Sequence, residues 1–230
     1  MKFKSSLAFL IVAGAAVAAA PQGIQFGRTY AVGDVDSYHM KMNIEGALAL
    51  EMNMDVAQKV VKVYDNGDAD VEATVSGGKM TMAGNNVPIP ATKPTTSRID
   101  KYGGFVSGGA QGRSAMSMDF SKFARKLPKE GLTPGQTINV EEVGTEGDKV
   151  KVKGTYKLES VEEGVAKLHS ILDISSEKIT TPMHMDVTTF IETAGNKLKR
   201  MEGKMTNLSG MPGMPPGMQI DSVSITMERK

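Results

Sequence analysis

The stretch Tyr38-His39-Met40-Lys41-Met42-Asn43-Ile44-Glu45 alternates apolar and polar side chains without a break. Successive residues of a β-strand face opposite sides. Tyr38, Met40, Met42 and Ile44 therefore share an apolar face, and His39, Lys41, Asn43 and Glu45 a wetted one. This is the signature of a strand in a sheet with one buried side. The two-residue period returns in Leu48, Leu50, Met52, Met54 and Val56. It then slips in phase between Ala57 and Val61, which implies a bulge or a break between strands. Tyr30 and Val32 suggest a short strand ahead of this region.

Outward from there, nearly every segment reads as strand. Asn66-Gly67, between 60–64 and 69–75, has the composition of a type I′ hairpin turn, and Ser76-Gly77-Gly78 leads on to Met80 and Met82. The second half predicts longer strands over 137–143, 149–160, 165–175, 183–193, 197–207 and 219–228. Turn chemistry at Glu146-Gly147-Asp148, Glu162-Glu163-Gly164 and Gly195-Asn196 separates several of them. A strand of about 11 residues runs roughly 36 Å, so such ribbons must twist and curl. One helix is expected at 117–127, where Phe120, Phe123, Ala124 and Leu127 share a face and Pro128 ends the run. The segments 84–97, 107–114 and 209–218, rich in Pro or Gly, read as surface loops. The expected fold is mainly β: a long antiparallel meander forming a curved sheet or half-barrel with one short packed α-helix.

The beginning of the chain reads as an export signal. Lys2 and Lys4 precede an apolar or small-residue run from Leu7 to Val17, and Ala16-Val17-Ala18 is a small-x-small cleavage pattern. The run falls short of the stretch of about 20 strongly apolar residues that spanning requires. We therefore expect a signal peptide at 1–18, a single β-rich domain over 19–230, and a periplasmic or extracellular location. No other segment approaches a transmembrane span. The absence of cysteine excludes a lipid-modified N-terminal cysteine, disulfides, a thiolate nucleophile and Cys-based metal sites. Taking Lys2 and Lys4 from the 27 basic residues leaves 25 against 26 acidic ones, a net charge of −1 that points away from nucleic acid. Lys149, Lys151, Lys153 and Lys157 alternate with apolar residues as a solvated strand face would.

No catalytic pattern is legible. His39, His169 and His184 fall on polar strand faces, and none joins an HExxH or HxH motif. There is no GxSxG elbow, no SxxK and no phosphate-binding glycine loop. The chain reads as noncatalytic, without a cofactor.

What stands out is methionine, with 17 residues and five pairs spaced i, i+2: Met40/Met42, Met52/Met54, Met80/Met82, Met116/Met118 and Met183/Met185. Four pairs lie in alternating stretches and put both thioethers on one sheet face. Unbranched and polarizable, Met suits an adaptable apolar cavity or a soft metal. Met40, Met42, Met52, Met54, Met80, Met82, Met183, Met185, Phe120 and Phe123 are the candidate ligand-contacting residues on a concave face. His184 points away from Met183 and Met185, and His39 away from Met40 and Met42, so one strand cannot supply mixed His/Met ligation. Thioethers from neighbouring strands, or Met211, Met214 and Met218, leave Cu(I) as an alternative.

The signal peptide, the long hairpins, the helix with its Leu127-Pro128 exit and the following Leu132-Thr133-Pro134-Gly135-Gln136-Thr137 together resemble uncharacterised exported bacterial β-proteins. Their layout is similar to the half-barrel of lipoprotein carriers such as LolA and mycobacterial lipid-carrier lipoproteins such as LppX. That resemblance implies a sheet curved around a cavity able to shelter an acyl chain, with a lipid or an acylated protein as partner. The mycobacterial group is anchored through a cysteine that this chain lacks. The expected function is noncatalytic binding of a hydrophobic ligand; an envelope interaction protein with a filled core is the other reading.

Overall fold

A computed structural model describes residues 23–47, 49–108, 127–143, 151–175, 181–208 and 220–230. The described chain forms one curved, open antiparallel sheet of twelve strands. These are β1 (Val35–Gly46), β2 (Leu50–Val63), β3 (Ala69–Met82), β4 (Asn85–Ile89), β5 (Thr95–Ile99), β6 (Phe105–Gly108), β7 (Thr137–Val143), β8 (Lys151–Glu162), β9 (Val165–Ser175), β10 (Met183–Glu192), β11 (Lys197–Thr206) and β12 (Ile220–Arg229). Their order is β6-β5-β3-β2-β1-β12-β11-β10-β9-β8-β7, with β4 paired to β3. Two meanders therefore meet where the first strand pairs with the last. The predicted helix, with Phe120 and Phe123, lies outside the described residues, as do the signal segment, Met116, Met118 and 209–218.

The alternation has the predicted consequence. In β9, Ala166, Leu168, Ser170, Leu172 and Ile174 are buried, and their partners in β10, from Ile191 back to Met183, are buried with them. The phase slip in β2 is a pair of register shifts, between Met54 and Val56 and between Val60 and Lys62, inside one continuous strand. Strand β3 also runs unbroken through Ser76-Gly77-Gly78. Gly77 takes a left-handed φ of +88°, and at Gly78 the Asn53 carbonyl occupies the space a Cβ would need.

Three expectations need correction. The Asn66-Gly67 turn is not type I′, which needs positive φ at both residues; only Gly67 has it, at +86°. The Gly67 amide donates to the Tyr64 carbonyl and the Tyr64 amide to the Asp68 carbonyl, a type I turn closed by a glycine bulge. The Asp68 amide donates to the Asn66 side chain, which favours this form. Left-handed pairs appear instead at Ala83-Gly84, with φ of +48° and +79°, at Glu163-Gly164, with +49° and +75°, and at Gly195-Asn196, with +83° and +52°. Segment 84–97 is not simply a loop: it contains β4 and begins β5, and Pro88 is tolerated because β4 has, among the described residues, β3 alone as sheet partner and so lies at an edge.

Nor do Tyr30 and Val32 start a strand. Residues 23–34 form a strap whose backbone groups bond to scattered elements, so no ladder can form. Ile24 exchanges hydrogen bonds with Leu132, Arg28 N–H donates to the Lys101 carbonyl, and Gly33 N–H donates to that of Val60. The Asn196 side chain donates to the Gly27 carbonyl. The strap thereby links β2, the β5–β6 turn, the entry to β7 and the β10–β11 turn. It buries Phe26 completely and carries Arg28 to Asp36, a 2.6 Å ion pair with both side chains buried. Removing one partner of such a pair strands a charge, at about 3–5 kcal/mol.

Candidate functional site

The inner face is organised in rows running across the strands. One row reads Leu158–Leu168–Thr189–Met201–Met227–Met40–Met54 from β8 to β2. The next reads Tyr156–Ser170–Val187–Gly203–Ile225–Met42–Met52–Met80 from β8 to β3. A third carries Leu172, Met185, Met205, Val223, Ile44, Leu50 and Met82. Each row is thus a series of direct cross-strand neighbours, with Cβ atoms about 4.5–5.5 Å apart.

Burial along these rows is uneven. Over β9–β11 the face is filled, and much of it on β8, β12 and β1: Leu168, Met183 and Leu198 are wholly buried, and Met201 is 1% exposed, while Met227 on β12 is partly buried. Phe26 from the strap, Leu127 and Leu132 belong to the same cluster. Toward β2 and β3 the packing thins. Met40, Leu50 and Met52 are partly buried against the core, whereas Met54, Met80 and Met82 are half-buried and belong to neither hydrophobic cluster. Beyond Met80, Val87 on β4 is 40% exposed.

The predicted ligand-contacting residues therefore divide. All eight methionines among the predicted residues lie on the predicted face. Met42, Met183 and Met185 are filled core, while Met40, Met52, Met54, Met80 and Met82 line the thinly packed part. Sequence reading missed Met201, Met205 and Met227, which complete the rows. They do not occur in i, i+2 pairs, but the alternation within 197–207 and 219–228 carried their signal.

The opposite face is wetted, and all three histidines lie on it, each hydrogen-bonded to an aspartate. His39 meets Asp55 at 2.9 Å, His169 meets Asp186 at 2.8 Å and His184 meets Asp173 at 2.8 Å. Lys230, and after it His39, hold the Asp55 carboxyl below its ordinary range. Lys167 does the same to Glu159 and is itself raised by it. A shallow depression of about 420 Å³ on this face is lined by His184, Asp186, Thr188, Glu202 and Lys204. Among the described residues no group of three His, Asp or Glu side chains is placed to hold a metal ion.

Charge outside and apolar side chains inside is the reverse of a membrane-spanning barrel. Among the described residues no helix is long and apolar enough to cross a membrane. On the inner face the chemistry on offer is apolar contact and thioether sulfur. No protein-family model, curated protein or solved structure matches the chain.

Proposed function

We propose that the protein is an exported, noncatalytic binding protein that holds an apolar ligand, the acyl chain of a lipid or of an acylated protein, against the methionines of β1, β2 and β3. The observation that carries this reading is the unequal packing of one continuous apolar face. The row that is filled core at Leu168 and Met201 ends in the partly exposed thioether of Met54, and the row that is filled at Tyr156 and Val187 ends in that of Met80. A protein that needed only stability would gain by enclosing these unbranched side chains, which instead stay partly exposed. Methionine's adaptable shape suits a guest of variable form. Export rests on the signal-like first eighteen residues, and a curved open sheet with one apolar face suits a carrier.

The energetics are adequate. Burying an acyl chain contributes about 0.8 kcal/mol per methylene, so about 16 methylenes contribute about 13 kcal/mol, enough for the roughly 8 kcal/mol of a micromolar complex when association costs lie at the low end of their range, about 4 kcal/mol. The test is saturable binding of a fluorescent fatty-acid probe to the folded protein, repeated with Met52→Lys/Met54→Lys. Both positions are half-buried, so the new ammonium groups can reach water and the fold should persist. Loss of probe binding in the folded double variant supports the reading. Absence of saturable binding by the unsubstituted protein refutes it and favours the envelope interaction protein.

A further inference from the structure

The methionines of the inner face share one chemistry and differ in access. Met183, Met185, Met201 and Met205 are buried in the core, whereas Met54, Met80 and Met82 are partly exposed and belong to neither hydrophobic cluster. Register explains why these three are open. Met54 faces Gly78 on β3, which has no side chain to cover it, and beyond Met80 and Met82 lie Val87 and Asn85 of the short β4, both exposed. We propose that Met54, Met80 and Met82 form an oxidation site, at which a peroxide converts the thioethers to sulfoxides and so releases the apolar ligand. The release rests on the apolar-ligand reading; the oxidation site rests on access alone.

The step is an oxygen transfer. A sulfur lone pair attacks one oxygen of hydrogen peroxide, and the S–O bond forms as the O–O bond breaks. The hydroxide that leaves takes the proton from the transferred oxygen and becomes water. Sulfur is thereby oxidised by two electrons and the peroxide reduced by two. The chain has no cysteine, so thioether is its only sulfur. A thioether has no proton to lose before it reacts, and a small polar oxidant reaches it from water, so the rate at each methionine follows its exposure.

Sulfoxide and acyl chain exclude one another at this place. The side chains that share this end of the inner face, Met40, Met42, Ile44, Leu50 and Met52, are all apolar, so none donates a hydrogen bond to an S=O group. A sulfoxide here is satisfied by water, and a ligand lying across the patch would strip that water away without replacing its hydrogen bonds. The fold is spared, because the three side chains lie outside both clusters and can turn their oxygens to solvent. Sulfoxides are reduced back by dedicated enzymes, one for each epimer, so the release is reversible.

The experiment exposes the purified protein to graded hydrogen peroxide, follows sulfoxide at each methionine by peptide mass mapping, and measures fatty-acid probe binding and the urea midpoint at each stage. Met54, Met80 and Met82 should oxidise at least about 10-fold faster than Met183, Met201 and Met205. Probe affinity should fall about 100-fold once the three are converted, with the fold retained, and the two sulfoxide reductases should restore it. Saturating probe added before the peroxide should slow oxidation at all three. The loss should persist in Met116→Leu/Met118→Leu/Met211→Leu/Met214→Leu/Met218→Leu, which conserves volume and removes thioethers outside the proposed ligand surface. Equal rates at open and buried methionines, unchanged affinity after conversion of the three, unfolding on oxidation, or a loss that vanishes in the Leu variant would overturn the inference. If the unoxidised protein binds no probe, the apolar-ligand reading and the release fall together, and the mass map alone upholds or overturns the oxidation site.

Discussion

Truncating methionine at the two ends of one row tests directly whether the inner face is filled at one side and open at the other. Met201 and Met54 lie in the same transverse row, joined through Met227 and Met40, and carry the same side chain. Met201 is 1% exposed and part of the core cluster, so Met201→Ala removes its apolar atoms from a packed site and leaves a cavity that the surrounding strands fill only in part. Core Met-to-Ala changes cost 2–5 kcal/mol, and full enclosure within a sheet argues for about 3 kcal/mol. Met54 is half-buried and outside both clusters, so its truncation loses only part of the transfer term and opens no enclosed void; about 1 kcal/mol or less is expected. Equilibrium urea unfolding of the two variants, with slopes held equal to that of the unsubstituted protein, reads the difference as a shift in midpoint. Equal losses near 3 kcal/mol would show that the β2 end is as tightly filled as the β11 end. The binding-surface argument would then fail.

Two further outcomes follow from the geometry. Gly154 on β8 pairs with Leu172 on the inner face, and a Cβ there would run into the Ile171 carbonyl of the adjacent strand; Gly154→Ala should lower the unfolding midpoint by the equivalent of about 2 kcal/mol or more, and an unchanged midpoint would contradict this close approach. Burial pushes the Tyr156 phenol up to about 12 from its ordinary value near 10. The neutral form is thus favoured in the folded state: its stabilisation is complete below pH 10 and is lost as pH rises toward 12. Tyrosinate absorbance should show a component titrating near pH 12 that Tyr156→Phe removes, and an unaltered titration in that variant would refute the assignment.

Much of the sheet was legible because its signal is local. Alternation through Tyr38–Met40–Met42–Ile44 and through Ala166–Leu168–Leu172–Ile174 assigns each side chain a face before any partner is known, and every one of those faces is the observed one. Partner choice is a different matter. Nothing local in 35–46 says that it pairs with 220–229 at the other end of the chain, because that pairing joins two meanders and its partners are separated by ten intervening strands. The strap was misread for a related reason. Tyr30 and Val32 alternate like a strand, yet their neighbours bond to backbone groups of loops distant in sequence, and Val32 ends up 67% exposed. Likewise, composition showed that Asn66-Gly67 turns, but the turn type was decided by the extra residue and by the Asn66 side chain accepting the Asp68 amide.

The candidate site shows the same division between face and environment. Parity placed Met40, Met52, Met54, Met80 and Met82 inward, but it could not say which inward residues become core, since that depends on what lies opposite. The asymmetry has a topological origin. Strands β8 to β12 are joined to one another by hairpin pairing and share one large cluster, while β2 and β3 reach that cluster only through β1. On the β3 side the sheet divides, with β4 covering the upper part of β3 and β5 the lower. The second, smaller cluster of Tyr30, Val60, Ala69 and Val71 stabilises the lower part alone. The upper part, where Met80 and Met82 lie, therefore has pairing on both edges of β3 but, among the described residues, belongs to no cluster. Hydrogen-bonded backbone with few buried apolar contacts marks the regions of a protein that open first and the regions from which ligand-binding surfaces are drawn. Half-buried methionine is the residue such a surface can carry, because an unbranched side chain can repack around a guest where a β-branched one cannot.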